Sequence, residues 1–232
     1  MAKQRFLSLD VMRGLTLALM ILVNTPGSWS YAYGPLLHAD WHGATFTDFI
    51  FPFFLFIVGS AMFFSWQRQA ELSFASRSLK ILRRTALIFL IGLALNAYPF
   101  TGDLDSLRIL GVLQRIALAY CAAAFIIMLP GLYRGIIALV LLLGYWALLN
   151  ISSDPYSLAG NVVRQFDLWV MGANHLWTGK GIAFDPEGIL STLPAIVNVL
   201  LGFEAARVLI SSADKTRAQW LLFVSAVACI GA

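Results

Sequence analysis

Charge is scarce in this 232-residue chain. Asp, Glu, Lys and Arg together make up 12% of it, about half the share of a soluble domain, while 59% of the residues are hydrophobic. That balance argues against an ordinary soluble domain, whose polar shell could not cover so much apolar surface; a bilayer as solvent removes the problem. Cysteine is nearly absent. Cys121 and Cys229 both lie inside apolar runs, so neither a disulfide framework nor a CxxC metal site is expected. The net charge of +4 is dispersed through short loops rather than gathered on a face or tail, and no RNA- or DNA-binding motif is present. Nucleic acid is therefore not an expected partner. A small-residue cleavage site is missing at signal-peptide distance, where the aromatic stretch 29–33 stands instead, so the first apolar run reads as a retained span.

What the chain does contain is apolar runs of about the 20 residues that cross a bilayer. They cover residues 7–27, 46–66, 82–98, 109–129, 135–151 and 188–210, and a seventh begins near residue 219 and is still apolar at residue 232. The expected fold is all-α: a polytopic integral-membrane helical bundle, with residues 1–232 as a single transmembrane domain and about seven spans visible. The last run is short for a crossing, so the chain reads as the N-terminal part of a longer bundle.

Lys and Arg counts orient the spans. Lys3 and Arg5 precede the first; Arg68, Arg77, Lys80, Arg83 and Arg84 separate the second from the third; Arg134 follows the fourth; Arg207, Lys215 and Arg217 follow the sixth. The alternate loops hold only Arg108, Arg164 and Lys180, beside Asp40, Asp103, Asp105, Asp154, Asp167, Asp185 and Glu187. This predicts a cytoplasmic N-terminus, with the loops around His38, Asp103 and residues 161–187 on the far side. The extracytoplasmic loop 152–187 is long for a connector. Its Gly, Asn and Trp content suits an ordered lid, a carbohydrate-facing surface or a loosely packed connector.

Ionisable groups at membrane depth each cost roughly 2.5–3.5 kcal/mol at a span centre, so they are functional candidates. Asp10 and Arg13 are three apart and share a helix face; they form either a structural ion pair or an anion-binding site for phosphates. Glu204 and Arg207 repeat that spacing. His38 lies between the first two spans with Asp40, His42 and Asp48 nearby. A histidine beside a carboxylate is the usual general base at neutral pH, with the carboxylate orienting the imidazole. A metal reading of His38, Asp40 and His42 lacks a second cluster to complete a four-ligand site, so no metal is expected. Asn24 could support the histidine or donate to an oxyanion, or simply pack. Gln114 and Arg115, one turn into the fourth span, need partners, and Asp103, Asp105, Asp185 and Glu187 are on the right side for Arg115. Asp185 and Glu187 sit in FDPEG, a turn feeding a helix in which Pro186 and Glu187 suit the first turn. His175 lies in the long loop.

These residues fall in four blocks: SLDVMRGLTLALMILVNTPG, LLHADWHGATFTDFIFPFFLFIVGSAMFFS, RILGVLQRIALAY and FDPEGILSTLPAIVNVLLGFEAARVL. Together and in this order they closely resemble the heparan-α-glucosaminide N-acetyltransferase family and its bacterial relatives. The resemblance implies a larger bundle, because a chain whose last run is about 14 residues against the 20 or so of a crossing falls short of the family's about ten or eleven helices. It implies transfer of acetyl from cytosolic acetyl-CoA to the amine of a glucosamine-like amino sugar or glycan on the other side of the membrane, here a bacterial inner membrane. His38 matches the family's catalytic histidine, and Asn24 and Asp48 match other positions of that pocket. Arg115, Gln114, Asp185, Glu187 and His175 are then expected to bind the acceptor, and Asp10 and Arg13 to face the coenzyme A phosphates, a role the Arg77–Arg84 cluster could equally fill. The lipid bilayer and the acceptor are the expected partners, and a homodimer is compatible with the sequence.

The competing reading is a transporter of a sugar or similar solute. It calls for discontinuous helices, inverted repeats and midplane polar groups. The apolar runs look continuous, no repeat is evident, and the polar groups gather toward one end.

Overall fold

The computed structural model describes residues 6–69, 71–100 and 102–230, with side chains up to residue 227. Lys3, Arg5 and the Cys229 side chain lie outside the described residues. Among those described, the chain forms eight α-helices and no strand: α1 (Leu7–Asn24), α2 (Ile50–Arg68), α3 (Phe74–Ala97), α4 (Val112–Ile127), α5 (Gly131–Leu149), α6 (Val162–Met171), α7 (Thr192–Ser211) and α8 (Lys215–Ile230). Short 3-10 turns punctuate the loops.

Four helices are long and apolar enough to cross a membrane: α1, α2 with its preceding turn (Thr47–Arg68), α5 and α7. The chain is an integral membrane protein, but length and composition support four spans of the seven read from the sequence. α3 has the length, 24 residues, but it begins at Phe74 and so takes Arg77, Lys80, Arg83 and Arg84 into the helix. α4 begins only at Val112, after Gly111 in extended backbone, and has 16 residues. α8 also has 16 described residues.

α7 is the centre of the bundle, packing on α2, α4, α5 and α8, while α3 lies on α4 and α1 on α2. The pairing of Pro52 with Asn198 and of Phe56 with Gly202 makes α2 and α7 parallel neighbours. Their backbones nearly touch: a Cβ on Gly59 would stand 1.8 Å from the Val199 carbonyl oxygen, and one on Gly202 would stand 2.0 Å from that of Phe56. Where lipid tails are as apolar as the side chains, such close approach and interhelical hydrogen bonds hold helices together. The Ser60 hydroxyl donates to the Gly202 carbonyl at 3.0 Å, and the Asn198 amide donates to that of Pro52 at 2.9 Å. Around this seam Leu55, Phe63, Ile116, Ala119, Ala123, Val199, Leu200 and Phe203 form the core.

α5 buries none of its residues, and α1 buries only Thr16 and Val23. Rows of Leu, Ile and Val on both face outward, which a bilayer tolerates and water does not. The N-terminal ends of α2, α4 and α7 converge at one end of the bundle, where the loops 25–49 and 150–191 meet. At the other end Glu204 joins α5 to α7, accepting from Arg134 Nε at 2.6 Å and from Arg207 Nε at 2.5 Å.

Candidate active site

The loop between α1 and α2 folds back through three short 3-10 turns, which carry His38 onto the start of α2. His38 Nδ1 lies 2.7 Å from Asp48 Oδ1. The other carboxylate oxygen, Oδ2, accepts from the Ala39 amide at 3.1 Å, the Thr45 amide at 2.8 Å and the Thr45 hydroxyl at 3.0 Å. The Thr45 hydroxyl also lies 2.6 Å from the Leu37 carbonyl, so its single hydrogen is shared between that carbonyl and Asp48 and the turn is tied on both sides of the histidine. With Asp48 ionised and acceptor-only, the proton between the pair belongs to Nδ1. Nε2 then carries the lone pair, on an imidazole that is 64% exposed. Such a contact fixes the orientation and tautomer of the ring, which is what proton transfer at Nε2 would require.

The long loop closes against this turn. Lys180 Nζ donates to the Asp40 carbonyl and lies 3.8 Å from the Asp40 carboxylate. Trp41 meets Phe184 edge-on at 5.5 Å between ring centroids, Trp177 meets the same ring at 5.1 Å, and His42 sits against Tyr156 at 4.8 Å. The loop is ordered rather than a slack connector. It contains α6, whose first turn is capped by Asn161 Oδ1 accepting from the Arg164 amide at 2.9 Å.

Beside it lies an ionic cluster whose pairing differs from the expectation. Arg108, not Arg115, takes the acids of FDPEG. Its Nε and Nη2 clasp Asp185 at 2.9 and 2.7 Å, and Nη2 also reaches Glu187 at 2.6 Å. The Asp185 side chain is 0% exposed. Arg115, one turn inside α4, donates instead to the Pro186 carbonyl at 2.8 Å and to the Ser191 hydroxyl. The reason is reach: the FDPEG turn lies over the extended segment before α4, level with Arg108, and presents its backbone to Arg115. Burial works against a charged Arg108, but the two carboxylates more than offset it and raise its pKa. Burial also dominates at Glu187, whose pKa is raised despite the nearby arginines.

Two functional candidates were missed in the sequence. In the sequence Arg108 is only one of the sparse outer-loop charges. Asp167, counted among the outer acids, is 0% exposed on α6. Its Oδ1 accepts from the Ile189 amide at 2.9 Å, its Oδ2 has no partner, and a Cβ on Gly188 would stand 2.0 Å from that oxygen. Burial raises its pKa to about 6. The available signal was VVRQFDLWVM itself, an amphipathic segment after an Asn cap.

The remaining candidates make contacts of their own. Asn24 donates to the Met20 carbonyl on its own helix at 2.8 Å. His175 Nδ1 lies 2.7 Å from the Leu107 carbonyl and fixes the approach to α4. Gln114 is 1% exposed and wedged against Gly92 and Gly111, with Nε2 unpartnered. Asp10 and Arg13 pair with each other at 3.7 Å on an exposed face of α1. Among the described residues no three His, Cys, Asp or Glu side chains gather as a metal site.

Comparison with known protein families gives a match over nearly the whole chain. Residues 5–232 fit the family described as heparan-alpha-glucosaminide N-acetyltransferase, catalytic. The chain belongs to that family. It is 29% identical to the human heparan-alpha-glucosaminide N-acetyltransferase of Homo sapiens over 280 aligned residues, covering 97% of this chain and 42% of that protein. It is 26% identical to the enzyme of the same name from Mus musculus over 287 residues, covering 98% and 42%. The chain thus spans about two fifths of the length of these curated relatives.

Proposed function

We propose that this chain is the catalytic part of a transmembrane acetyltransferase, which moves acetyl from acetyl-CoA to the amine of a glucosamine-like sugar. His38 is its general base, Asp48 the residue that orients it, and Asn24 a donor to the oxyanion. The observation that carries the reading is the His38 Nδ1–Asp48 Oδ1 contact of 2.7 Å, which leaves Nε2 as the basic nitrogen of an exposed imidazole. The family match supports the reaction class.

In this reading Nε2 takes a proton from the acceptor amine as its nitrogen attacks the thioester carbonyl. The C–S bond then breaks and the thiolate leaves, collecting a proton to become free coenzyme A. The alternative route has Nε2 accept the acetyl group first and pass it to the amine. Asn24 has a second amide hydrogen, beyond the one given to Met20, for the developing oxyanion. Arg115, Asp185, Glu187 and His175 shape the acceptor side by holding the outer loops together, with Gln114 behind them. The loop charges favour a cytoplasmic N-terminus and an extracytoplasmic His38 end, in a bacterial inner membrane. Residues 1–232 form one transmembrane domain, with 152–187 as its outer loop.

The test is acetyl transfer by the full-length protein in nanodiscs, using acetyl-CoA and glucosamine. His38→Ala should lose transfer by about a thousandfold or more while its melting temperature holds. Full activity in His38→Ala would overturn the assignment.

A further inference from the structure

Within the 152–187 loop, α6 stands with its polar side inward. A helix on a water-facing surface turns its apolar stripe to the core and its charges outward. Here the one fully buried side chain of the helix is an acid. Asp167 Oδ1 accepts from the Ile189 amide at 2.9 Å, and Arg164 Nε donates to the Ala183 carbonyl at 2.8 Å. These are the two charges of α6, so its outward side carries none. Val162, Phe166 and Trp169 are spaced four and three apart and form one stripe, about 130° round the helix from Asp167. Trp169 is 81% exposed, Val170 beside the stripe is exposed, and the Phe166 and Trp169 rings meet at 5.8 Å. The depth of α6 is set by α5, against which it packs. Asp167 interacts electrostatically with Tyr145, one turn before the C-terminal end of α5 and so about 6 Å inside that end. α5 is long and apolar enough to cross a membrane and buries none of that stretch, and Trp146 and Ile151 at this end are exposed. The stripe of α6 therefore stands level with the last turn of a lipid-facing helix and extends its apolar surface.

We propose that α6 is an interfacial anchor: it lies along the bilayer surface on the His38 side, with Phe166 and Trp169 seated in the headgroup region and Asp167 turned to the protein. The partner is the lipid surface itself. An amphipathic helix at that boundary buries its apolar face about 5–10 Å deep. An indole, apolar with a single N–H at its edge, suits that depth. The stripe holds no Lys or Arg to draw it to anionic lipid, so a zwitterionic bilayer suffices. In water the same arrangement would expose Trp169 while burying an acid, two costs with nothing set against them. Continuity with the outward side of α5 favours lipid over a second copy of the chain. The seat bears on the ionic cluster as well. Arg164 holds the carbonyl just before FDPEG and Asp167 the amide just after it, so α6 ties both ends of the turn that engages Arg108 to the membrane surface. The middle of the 152–187 loop is thus an anchor rather than a free lid, and this holds whether or not the acetyltransferase reading does.

The experiment uses full-length protein in phosphatidylcholine nanodiscs, with its native cysteines replaced by alanine. Trp169→Cys and, separately, Val170→Cys each carry a nitroxide spin label. Both side chains are exposed, so neither label displaces a packed group, and either position alone decides the question should the other variant fail to fold. Power-saturation electron paramagnetic resonance compares collisions with oxygen, which concentrates in lipid, and with a water-soluble nickel chelate. Both labels should collide preferentially with oxygen and report a depth of about 5–10 Å below the bilayer surface. Preferential collision with the nickel chelate would put the stripe in water and overturn the anchor. Exclusion of both reagents would put it under protein and overturn the anchor equally. Dipolar broadening between labels would then identify the cover as a second copy, and its absence would identify a further part of the same chain.

Discussion

Asp48 grips His38 with one carboxylate oxygen and is itself gripped by the other: Oδ1 meets Nδ1 at 2.7 Å, while Oδ2 accepts from Ala39 and from both the amide and hydroxyl of Thr45. The carboxylate therefore sets both the tautomer of the imidazole and the shape of the turn that carries it. Asp48→Asn keeps the size but offers an amide where an acceptor is required. Turnover should fall by about 10²–10⁴-fold, the range seen when a triad carboxylate loses its orienting charge, with KM for acetyl-CoA changed by less than about threefold. Steady-state kinetics beside a thermal melt decide it, and a KM effect without a kcat effect would count against the orienting role.

Arg108 and Arg115 should behave differently when neutralised. Arg108→Met strands Asp185, whose side chain is fully enclosed, together with Glu187. Removing one partner of such a pair costs about 3–5 kcal/mol. Arg115→Met loses a carbonyl and a hydroxyl partner, both neutral, so about 1–2 kcal/mol is expected. Unfolding in mixed SDS micelles should rank Arg108→Met as the weaker protein by a clear margin; equal losses would reject this account of the cluster.

Much of this site was legible because its parts are local. His38 and Asp48 are ten residues apart in a turn-rich segment, so spacing puts Asp48 within reach, with Asp40 left as an alternative partner until the turn is seen. The choice between Arg108 and Arg115 was not legible, since it depends on where a turn 77 residues further along comes to rest. Only four of the seven apolar runs become helices long and apolar enough to cross a membrane among the described residues, for a similar reason. Hydropathy marks apolar residues, whereas the helices α3 and α4 are bounded by the Ser73 cap and the extended Gly111, so the charged stretch 77–84 joins one and the residues before 112 leave the other. Asp167 reads as one more outer acid until α6 is seen packed under the FDPEG turn.

The α2–α7 crossing has no room for a methyl group. Gly59→Ala and Gly202→Ala both drive a Cβ into a facing backbone carbonyl, which cannot rotate away as a side chain would. Each should lower the yield of monodisperse protein sharply and destabilise what remains by about 2–4 kcal/mol. Gly14 in α1 is the control: a Cβ there meets nothing within 4 Å, and Gly14→Ala should be neutral or stabilising by up to about 1 kcal/mol. Size-exclusion profiles and melting temperatures of the three variants check the contrast, and a tolerated Gly202→Ala would contradict the close approach.

Asp167 predicts a pH dependence of unusual sign. Its carboxyl is buried, and its pKa is raised from 3.8 to about 6. Between those values the folded chain holds a proton that the unfolded chain has released, so stability falls as pH rises through the window. The full contribution is present below about pH 3.8 and is lost above about pH 6. A shift of that size corresponds to roughly 3 kcal/mol, or nearer 2 once solvent screening is allowed for. Carboxylates with lowered pKa values produce the opposite slope, so the parent protein alone does not isolate the effect; the difference between it and Asp167→Asn does. The Asn side chain keeps the acceptor for the Ile189 amide and cannot ionise. The variant's stability relative to the parent should therefore improve by about 2 kcal/mol between pH 4 and pH 7, measured by unfolding in mixed micelles at both values. A difference that stays constant across that range would mean that Asp167 is ionised throughout, and the enclosure of its Oδ2 beside Gly188 would then need another explanation.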